Sequence, residues 1–431
     1  MASMPVSCPM AMWRPLPRPY RACWATGPAA IRLDRPPVTP CLTTIHGRQS
    51  PSGCIPPMIR PARRVASASA TMRMAETGEY GLTAVVINYN GGERLLSCLQ
   101  SLVDHAPLVD EFILVDNGSQ DGSPEGAEQI CPGLVIIRLQ ENPGPATARN
   151  RGMKAARNRR VLLVDADTQV TPGAIDELLA AQQATGAAIV CPRLVFAPEN
   201  KTIQCDGAYP HFLGTLVLGN ANARRDAGSA AHSVDGLIST FLLVDRDAAL
   251  SAGGFNEAFF FYFEDLEFGL RMRLLGHTIA CATRAVVLHD RGAGYTGLSF
   301  RGAGNYPKQR AYLSMRNRLL TIAICFHWRT ILVLAPALLA YECATLGLVV
   351  IRGWIPQWAQ GWAWIIANRH ELRQMRNQVQ HHRRLRDGAV LHGSPLPFAD
   401  GLFRGRVSGA LVRLLSGSFA AYWRIARVAV H

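Results

Sequence analysis

The sequence predicts an α/β fold built on a mostly parallel sheet. Short β-branched apolar runs alternate with stretches of helical spacing from residue 82 to about residue 195. Two of those runs end on acidic residues, which places carboxylates at the strand ends, where the ligand crevice of such a sheet lies. Composition shifts abruptly before the first run and again near residue 301, and these shifts bound the alternating part.

Residues 83–88 form a buried-strand run, and residues 93–104 carry Leu95, Leu96, Leu99 and Leu102 at helical spacing. Residues 112–115 and 134–139 read as the second and third strands, residues 146–156 as a helix and residues 161–164 as the next strand. A helix follows over 172–184, with Thr171 as N-cap and Pro172 at the first helical position. Later strands are expected at 188–195 and 238–244, separated by a loop-rich, partly mobile insert over 198–235. Strands and helices at this spacing imply right-handed crossovers.

The net charge of +14 is unevenly spread, since residues 1–75 hold ten Arg, no Lys and one acid, Asp34, for a net +9. That stretch also holds 13 of the 27 prolines and has no periodic apolar pattern. It cannot bury enough surface to offset the entropy of ordering, so residues 1–78 are expected to be a disordered basic arm. It resembles a transit segment in being rich in Arg and Ser, but the preferred reading is a start at Met72 or Met74, with residues 1–73 dispensable. The remaining charge of +5 is modest and gives no reason to invoke nucleic acid. Cys98, Cys191 and Cys281 sit singly in apolar runs without C-x-x-C spacing, as buried free thiols do.

Three acidic clusters carry the chemistry. Asp116 closes a strand before Asn117-Gly118-Ser119, where it can accept the imide N–H of a uracil or thymine; Tyr89 and Asn90, at the end of the first strand, stand beside it. An Asx turn is the plain alternative for Asp116. Asn142-Pro143-Gly144, followed by Arg149 and Asn150, is a turn feeding a helix N-terminus that can hold phosphate or ribose oxygens. Asp165-Ala166-Asp167 follows an apolar strand: Asp167 suits Mg2+ or Mn2+, and Asp165 the ribose or a metal-bound water. His289, at a strand end, is a further metal ligand or phosphate contact, or is satisfied by backbone.

Glu264 and Asp265 open a helix after the aromatic run 259–263. Apolar surroundings and a neighbouring carboxylate both raise the pKa of a carboxyl, so Asp265 is the expected base with Glu264 beside it. The plain alternative is a pair of helix-terminal acids, with Glu267 and Arg271 as an i,i+4 ion pair. Nucleotide site, metal and base together suggest group transfer from a nucleotide-activated donor.

As a set, these residues resemble the inverting family 2 glycosyltransferases of the GT-A fold, in particular their rhamnosyltransferase-like bacterial branch. The resemblance runs from about Ala84 to Leu320 and rests on ordered motifs. They are Val86-Ile87-Asn88-Tyr89-Asn90-Gly91, Val115-Asp116-Asn117-Gly118-Ser119, Glu141-Asn142-Pro143-Gly144 with Asn150-Arg151-Gly152, Gly253-Gly254-Phe255-Asn256-Glu257, Phe261-Tyr262-Phe263-Glu264-Asp265 and Arg316-Asn317-Arg318. The resemblance implies a GT-A (Rossmann-like) catalytic domain over 79–300, with Asp116 on the base, Asp167 on the metal and Asp265 deprotonating the acceptor. It implies one sugar moved per encounter from a dTDP- or UDP-sugar to a glycan or lipid-linked glycan, since the Q-x-x-R-W signature of processive synthases is absent. The chain departs from the branch at Asp165-Ala166-Asp167, where Asn-Pro-Asp is usual. The competing readings are a sugar-phosphate nucleotidyltransferase, for which Gly91-Gly92-Glu93 is a poor loop, and a non-catalytic membrane adaptor.

Residues 301–431 are expected to be a helical, membrane-associated region. Residues 331–351 are long enough to span a bilayer but contain Pro336 and Glu342. Residues 353–431 carry eleven Arg against Glu371, Asp387 and Asp400, so a single crossing from a cytoplasmic domain would leave a basic tail outside. An in-plane or hairpin insertion kinked at Pro336, peripheral or monotopic on the cytoplasmic face of the inner membrane, avoids that arrangement and the lipid exposure of Glu342.

Overall fold

The computed structural model describes residues 81–226, 228–290, 306–393 and 406–430, with side chains of the last segment described from 414 onward. The arm expected over 1–78 lies outside the described residues. The chain runs β1 (Leu82–Asn88), α1 (Glu93–His105), β2 (Val109–Asp116), α2 (Ser123–Ile130), β3 (Val135–Arg138), α3 (Pro145–Ala155) and β4 (Arg160–Asp165). It continues through β5 (Thr168–Val170), α4 (Ala174–Thr185), β6 (Ile189–Phe196), β7 (Ile203–Asp206), β8 (Ala208–His211), β9 (Thr215–Leu218), β10 (His232–Val234) and β11 (Phe241–Asp245). Then come α5 (Arg246–Ser251), α6 (Glu264–Leu274) and β12 (Ile279–His289). The carboxyl-terminal helices are α7 (Lys308–Cys325), α8 (Trp328–Arg352), α9 (Ile355–Ala367), α10 (Arg369–His382) and α11 (Arg406–Val430).

The main sheet is ordered β10-β12-β6-β11-β4-β1-β2-β3. β3, β2, β1 and β4 are mutually parallel, as are β6 and β12; β11 runs antiparallel between β4 and β6, and β10 antiparallel along β12. This is the mostly parallel α/β sheet of the GT-A type. β1 is buried along its whole length, which explains its unbroken apolar run. Because β2 and β4 flank β1 on opposite sides, the strand order reverses there and a crevice opens at the carboxyl edge. Asn88 pairs with Asp116, and Ile87 with Asp165, so both acids stand at that edge.

Several elements differ from expectation. α4 begins at Ala174 after Gly173, whose φ is 77°; Thr171 is not its cap but donates its hydroxyl to the Val286 carbonyl. The stretch expected as loop-rich contains β7, β8, β9 and β10, with β8 and β9 forming a separate hairpin. α2 was not anticipated at all. All described residues fall in one compact unit, with α7 to α11 packed on the sheet domain.

α7 is the centre of the helical part. Ala311 clusters with Val349, and Arg318 pairs with Glu342, so α8 runs back along α7. Arg316 lies over the Trp364 ring, and Arg376 donates to the carbonyls of Ala323 and Phe326, so α9 and α10 run along α7 in its own direction. The chain therefore reverses at Gly353, in left-handed conformation, and not at Pro336, through which α8 continues. Glu342, partly exposed, is engaged by Arg318 of α7. α8 is the one described helix long and apolar enough to cross a membrane, with 22% of its most apolar window buried. Its outward Leu332, Leu339 and Leu346, seven residues apart, are 63, 64 and 41% exposed.

Candidate active site

The crevice is built at the ends of β1, β2 and β4. Asn88 donates to Asp116 Oδ1 at 3.0 Å; Ser119 gives its hydroxyl to the same oxygen at 2.5 Å and its N–H to Oδ2 at 3.1 Å. Asp116 is thus in an Asx-type turn. A carboxylate offers about four lone-pair positions, so three bonds leave one for a ligand N–H. The turn and the base contact are compatible. Asn90 accepts the Gln120 N–H at 2.8 Å and donates its own N–H to Ser119 Oγ at 2.9 Å, stitching the two strand ends together, with Tyr89 exposed beside it.

The acids after β4 part company. Asp165 accepts from Arg149 Nη2 at 2.7 Å. Burial pushes its pKa up, opposed by Arg149 and reinforced by Asp167. Asp167 points the other way, its Oδ2 3.3 Å from His289 Nε2, while His289 Nδ1 lies 2.7 Å from Gln204 Oε1. Burial pushes Asp167 upward as well, but the His289 hydrogen bond and charge outweigh it and hold the carboxyl below its ordinary value. β5 pairs antiparallel with β12, and that pairing sets His289 opposite Thr168 and so brings the two expected metal residues together. Among the described residues no three carboxylates, histidines or cysteines form a ready-made metal cage. A carboxylate and an imidazole are a fitting partial set for Mn2+, and the carboxylate alone for Mg2+, with donor oxygens and water completing either.

Arg149 is the hinge of the site. It is buried, bridges from Asp165 to Glu264 (Nη1 to Oε1 at 3.6 Å) and lies over the Phe255 ring. Its place is between the two acids rather than open to a phosphate. Burial and the neighbouring Asp265 carboxylate push Glu264 up to about 8. Burial also raises Asp265, to about 6, against the pull of the Leu266 N–H and of Arg149. Both carboxyls are raised by burial, Glu264 the more because Asp265 lies beside it, which favours Asp265 as the group that gives up and takes a proton first.

Asn142, Gly144 and Asn150 do not form the phosphate cradle expected of them. The Asn142 side chain accepts the Gly144 N–H at 2.9 Å. A Cβ on Gly144 would meet the Phe260 carbonyl at 2.3 Å, so this position, with φ 94°, exists to let the turn at 257–260 close onto α3. Asn150 spends its amide on Phe255 (2.8 Å both ways) and on Glu257 Oε1. Thr147 donates to Glu257 Oε2 at 3.1 Å, so the acid received by this helix end is the chain's own. The motif bolts α3 to the loop that leads into Glu264 and Asp265.

That loop is strained. Phe260, Tyr262 and Phe263 all have positive φ between 63° and 68°, a costly conformation for bulky residues. Asn317 of α7, fully buried, pins it by donating to the carbonyls of Phe259 (2.9 Å), Phe261 (3.0 Å) and Tyr262 (2.7 Å). Arg316 Nη2 donates to those of Ala258 and Phe259. The sequence marked Arg316-Asn317 only by resemblance; here the pair fixes the conformation that aims Asp265. One turn along α6, Glu267 and Arg271 form a buried ion pair at 2.6 Å, and Arg271 also holds the Ala252 and Gly254 carbonyls.

The sheet and the crevice at its carboxyl edge are those of the GT-A fold class. Residues 83–215 match the glycosyl transferase family 2 model. An N-acetylglucosaminyl-diphospho-decaprenol L-rhamnosyltransferase of Mycobacterium tuberculosis is 29% identical over 236 residues, covering 49% of this chain and 76% of the relative. A low-salt glycan biosynthesis hexosyltransferase, Agl10 of Haloferax volcanii, is 24% identical over 58% of this chain and 78% of its own length. Among solved structures, S. aureus TarS in complex with UDP-GlcNAc superposes with a TM-score of 0.46 at 15% identity, over 81% of this chain and 91% of that one. Residues 83–215 thus carry a family 2 glycosyltransferase domain, similar in sequence to that of the rhamnosyltransferase, and the chain is a glycosyltransferase that draws on nucleotide-sugar donors.

Proposed function

We propose that this enzyme moves one hexose, with inversion, from a dTDP- or UDP-sugar to a hydroxyl of a glycan or lipid-linked glycan of the cell envelope. The observation that supports this most is the Arg149 bridge, which sets the strand-end acids after β4 beside the Glu264–Asp265 pair. Asp116 receives the base and Asp265 takes the acceptor hydroxyl's proton. The hydroxyl oxygen bonds the anomeric carbon from the face opposite the diphosphate, and the carbon–oxygen bond to the diphosphate breaks with its electron pair. Asp167 and His289 would hold Mg2+ or Mn2+, which when bound offsets charge on the departing diphosphate. The relative's acceptor, a sugar on a lipid diphosphate, is the acceptor class proposed here. Incubation with labelled dTDP- and UDP-sugars and a lipid-linked sugar should give a glycoside of opposite anomeric configuration. Pyrophosphate release without a glycoside would instead indicate nucleotidyl transfer, and absence of any turnover an adaptor.

The second part of the reading is that the enzyme lies in the plane of the membrane on its cytoplasmic face. α8 packs along α7 while its outer leucines stay exposed, and Ile355 and Ile366 of α9 and Ile425 and Val428 of α11 are exposed as well. Arg352, Arg369 and Arg373 flank these apolar faces, as a surface facing anionic headgroups requires. The protein should float with anionic vesicles and less with neutral ones. A cysteine placed at Ser416 should react from the cytoplasmic side of sealed vesicles; reaction only from the opposite side would require a single span.

A further inference from the structure

A cavity of about 110 Å³ lies between α7, α8 and α9, lined by Phe263, Arg318, Tyr341, Glu342, Trp358 and Trp362 among others. Its lining includes Phe263, the residue directly before Glu264 and Asp265, together with Trp362, 37% exposed, and the partly exposed Glu342. Trp358 and Trp362 meet at 65° with ring centroids 6.3 Å apart, giving two differently oriented aromatic faces. The lining also holds an ion pair between buried Arg318 and partly exposed Glu342. Arg318 binds the Leu213 carbonyl through Nε and Glu342 through Nη1, and stacks over Tyr341 at 4.2 Å. Its Nη2 is buried without a hydrogen-bond partner. An orphan donor in a buried guanidinium costs free energy unless a ligand or water meets it.

We infer that this slot is a second sugar subsite, which binds a pyranose unit of the acceptor while another is glycosylated at Asp265. The inference rests on the glycan-acceptor reading above. A neutral Arg–Glu pair presents a donor and an acceptor side by side, the complement of two neighbouring hydroxyls, one accepting from Arg318 and the other donating to Glu342. The Glu342 carboxylate disfavours a phosphate there, and the crossed indoles suit the C–H face of a sugar ring. The slot also touches the catalytic loop: Phe263 lines it, and Arg316, another lining residue, holds the Ala258 and Phe259 carbonyls.

Two variants of the full-length enzyme test this. Trp362→Ala removes an aromatic face at a partly exposed position, and Gly361→Leu fills the slot from a mid-helix glycine, where a Cβ meets only ordinary contacts, the nearest at 3.6 Å from Arg316. Each should raise the acceptor KM about tenfold or more, the size of one lost contact of ~1.4 kcal/mol. Slow hydrolysis of the nucleotide-sugar and its KM should be unchanged. Methyl pyranosides alone should quench wild-type tryptophan fluorescence saturably, and do so more weakly in both variants. An unchanged acceptor KM overturns the subsite, as does saturable quenching by farnesyl diphosphate but by no pyranoside. If the wild type hydrolyses no nucleotide-sugar, the transferase reading itself fails, while the pyranoside titration still decides the slot.

Discussion

Asp265→Asn is expected to keep donor binding and to lose transfer by about 100- to 10,000-fold, the usual worth of a general base. The amide is nearly the same size and still accepts the Leu266 N–H, which lies 2.7 Å from Oδ1, so the helix start survives. In the wild type the rate should rise with pH through about 6, where Asp265 loses its proton, and this limb should vanish in the variant. Glu264→Gln should behave differently, because Glu264 is already protonated near neutrality. A carboxyl whose folded pKa is raised stabilises the fold fully below its unfolded value and loses that contribution as pH rises through about 8. Glu264→Gln should therefore keep substantial activity and lose less stability than the wild type between pH 5 and 8. Asn317→Ala leaves Asp265 chemically intact but removes the amide that ties three carbonyls of the strained loop to α7. It should lower kcat with little change in donor affinity, and lower the melting temperature. An Asp265→Asn enzyme retaining most of its turnover would make Asp265 a helix-terminal acid only.

The strands that build the crevice were legible because their carboxyl halves are buried, so the ends of β1, β2 and β4 read as apolar runs closing on Asn88, Asp116 and Asp165. Short elements were not. β7 to β10 have three or four residues each, and the Gly, Asn and Pro around them read as loop. α2 buries only Ser123, Pro124 and Ala127, too small a set to show a period. Pro336 suggested a break, but it faces outward on α8, where its ring displaces no packed neighbour. In the site, residue type identified the acids but not the partners that decide their roles. Asn150 meets Phe255 and Glu257, more than a hundred residues away, and nothing local distinguishes such a bolt from a ligand contact. The same holds for Arg149, whose burial between Asp165 and Glu264 only the fold creates.

Asp167→Ala is expected to abolish metal-dependent donor binding and to cost two to three decades in turnover, if the cation supplies the several kcal/mol typical of such sites. The fold should hardly change. The Asp167 side chain is one-third exposed and its one ion-pair partner is His289, while the hydrogen bond from Asp290 N–H goes to its main-chain oxygen. Loss of such a contact sits within the ordinary range for surface changes, about 0.5 kcal/mol. Asp165→Ala should show the opposite balance. It strands the buried Arg149 guanidinium, whose Nε and Nη1 already lack hydrogen-bond partners, and breaking a buried pair in this way costs about 3–5 kcal/mol. The two acids of one short motif are thereby separable: a lower melting temperature marks Asp165, and lost metal dependence at full stability marks Asp167. His289→Ala should weaken metal dependence less than Asp167→Ala, because the carboxylate remains the harder ligand. Titration of a dTDP- or UDP-sugar with Mn2+ and with chelator, alongside thermal melts of the three variants, decides each point. Equal donor affinity of the wild type with and without chelator would remove the metal from the mechanism and leave the Asp167–His289 contact a structural one.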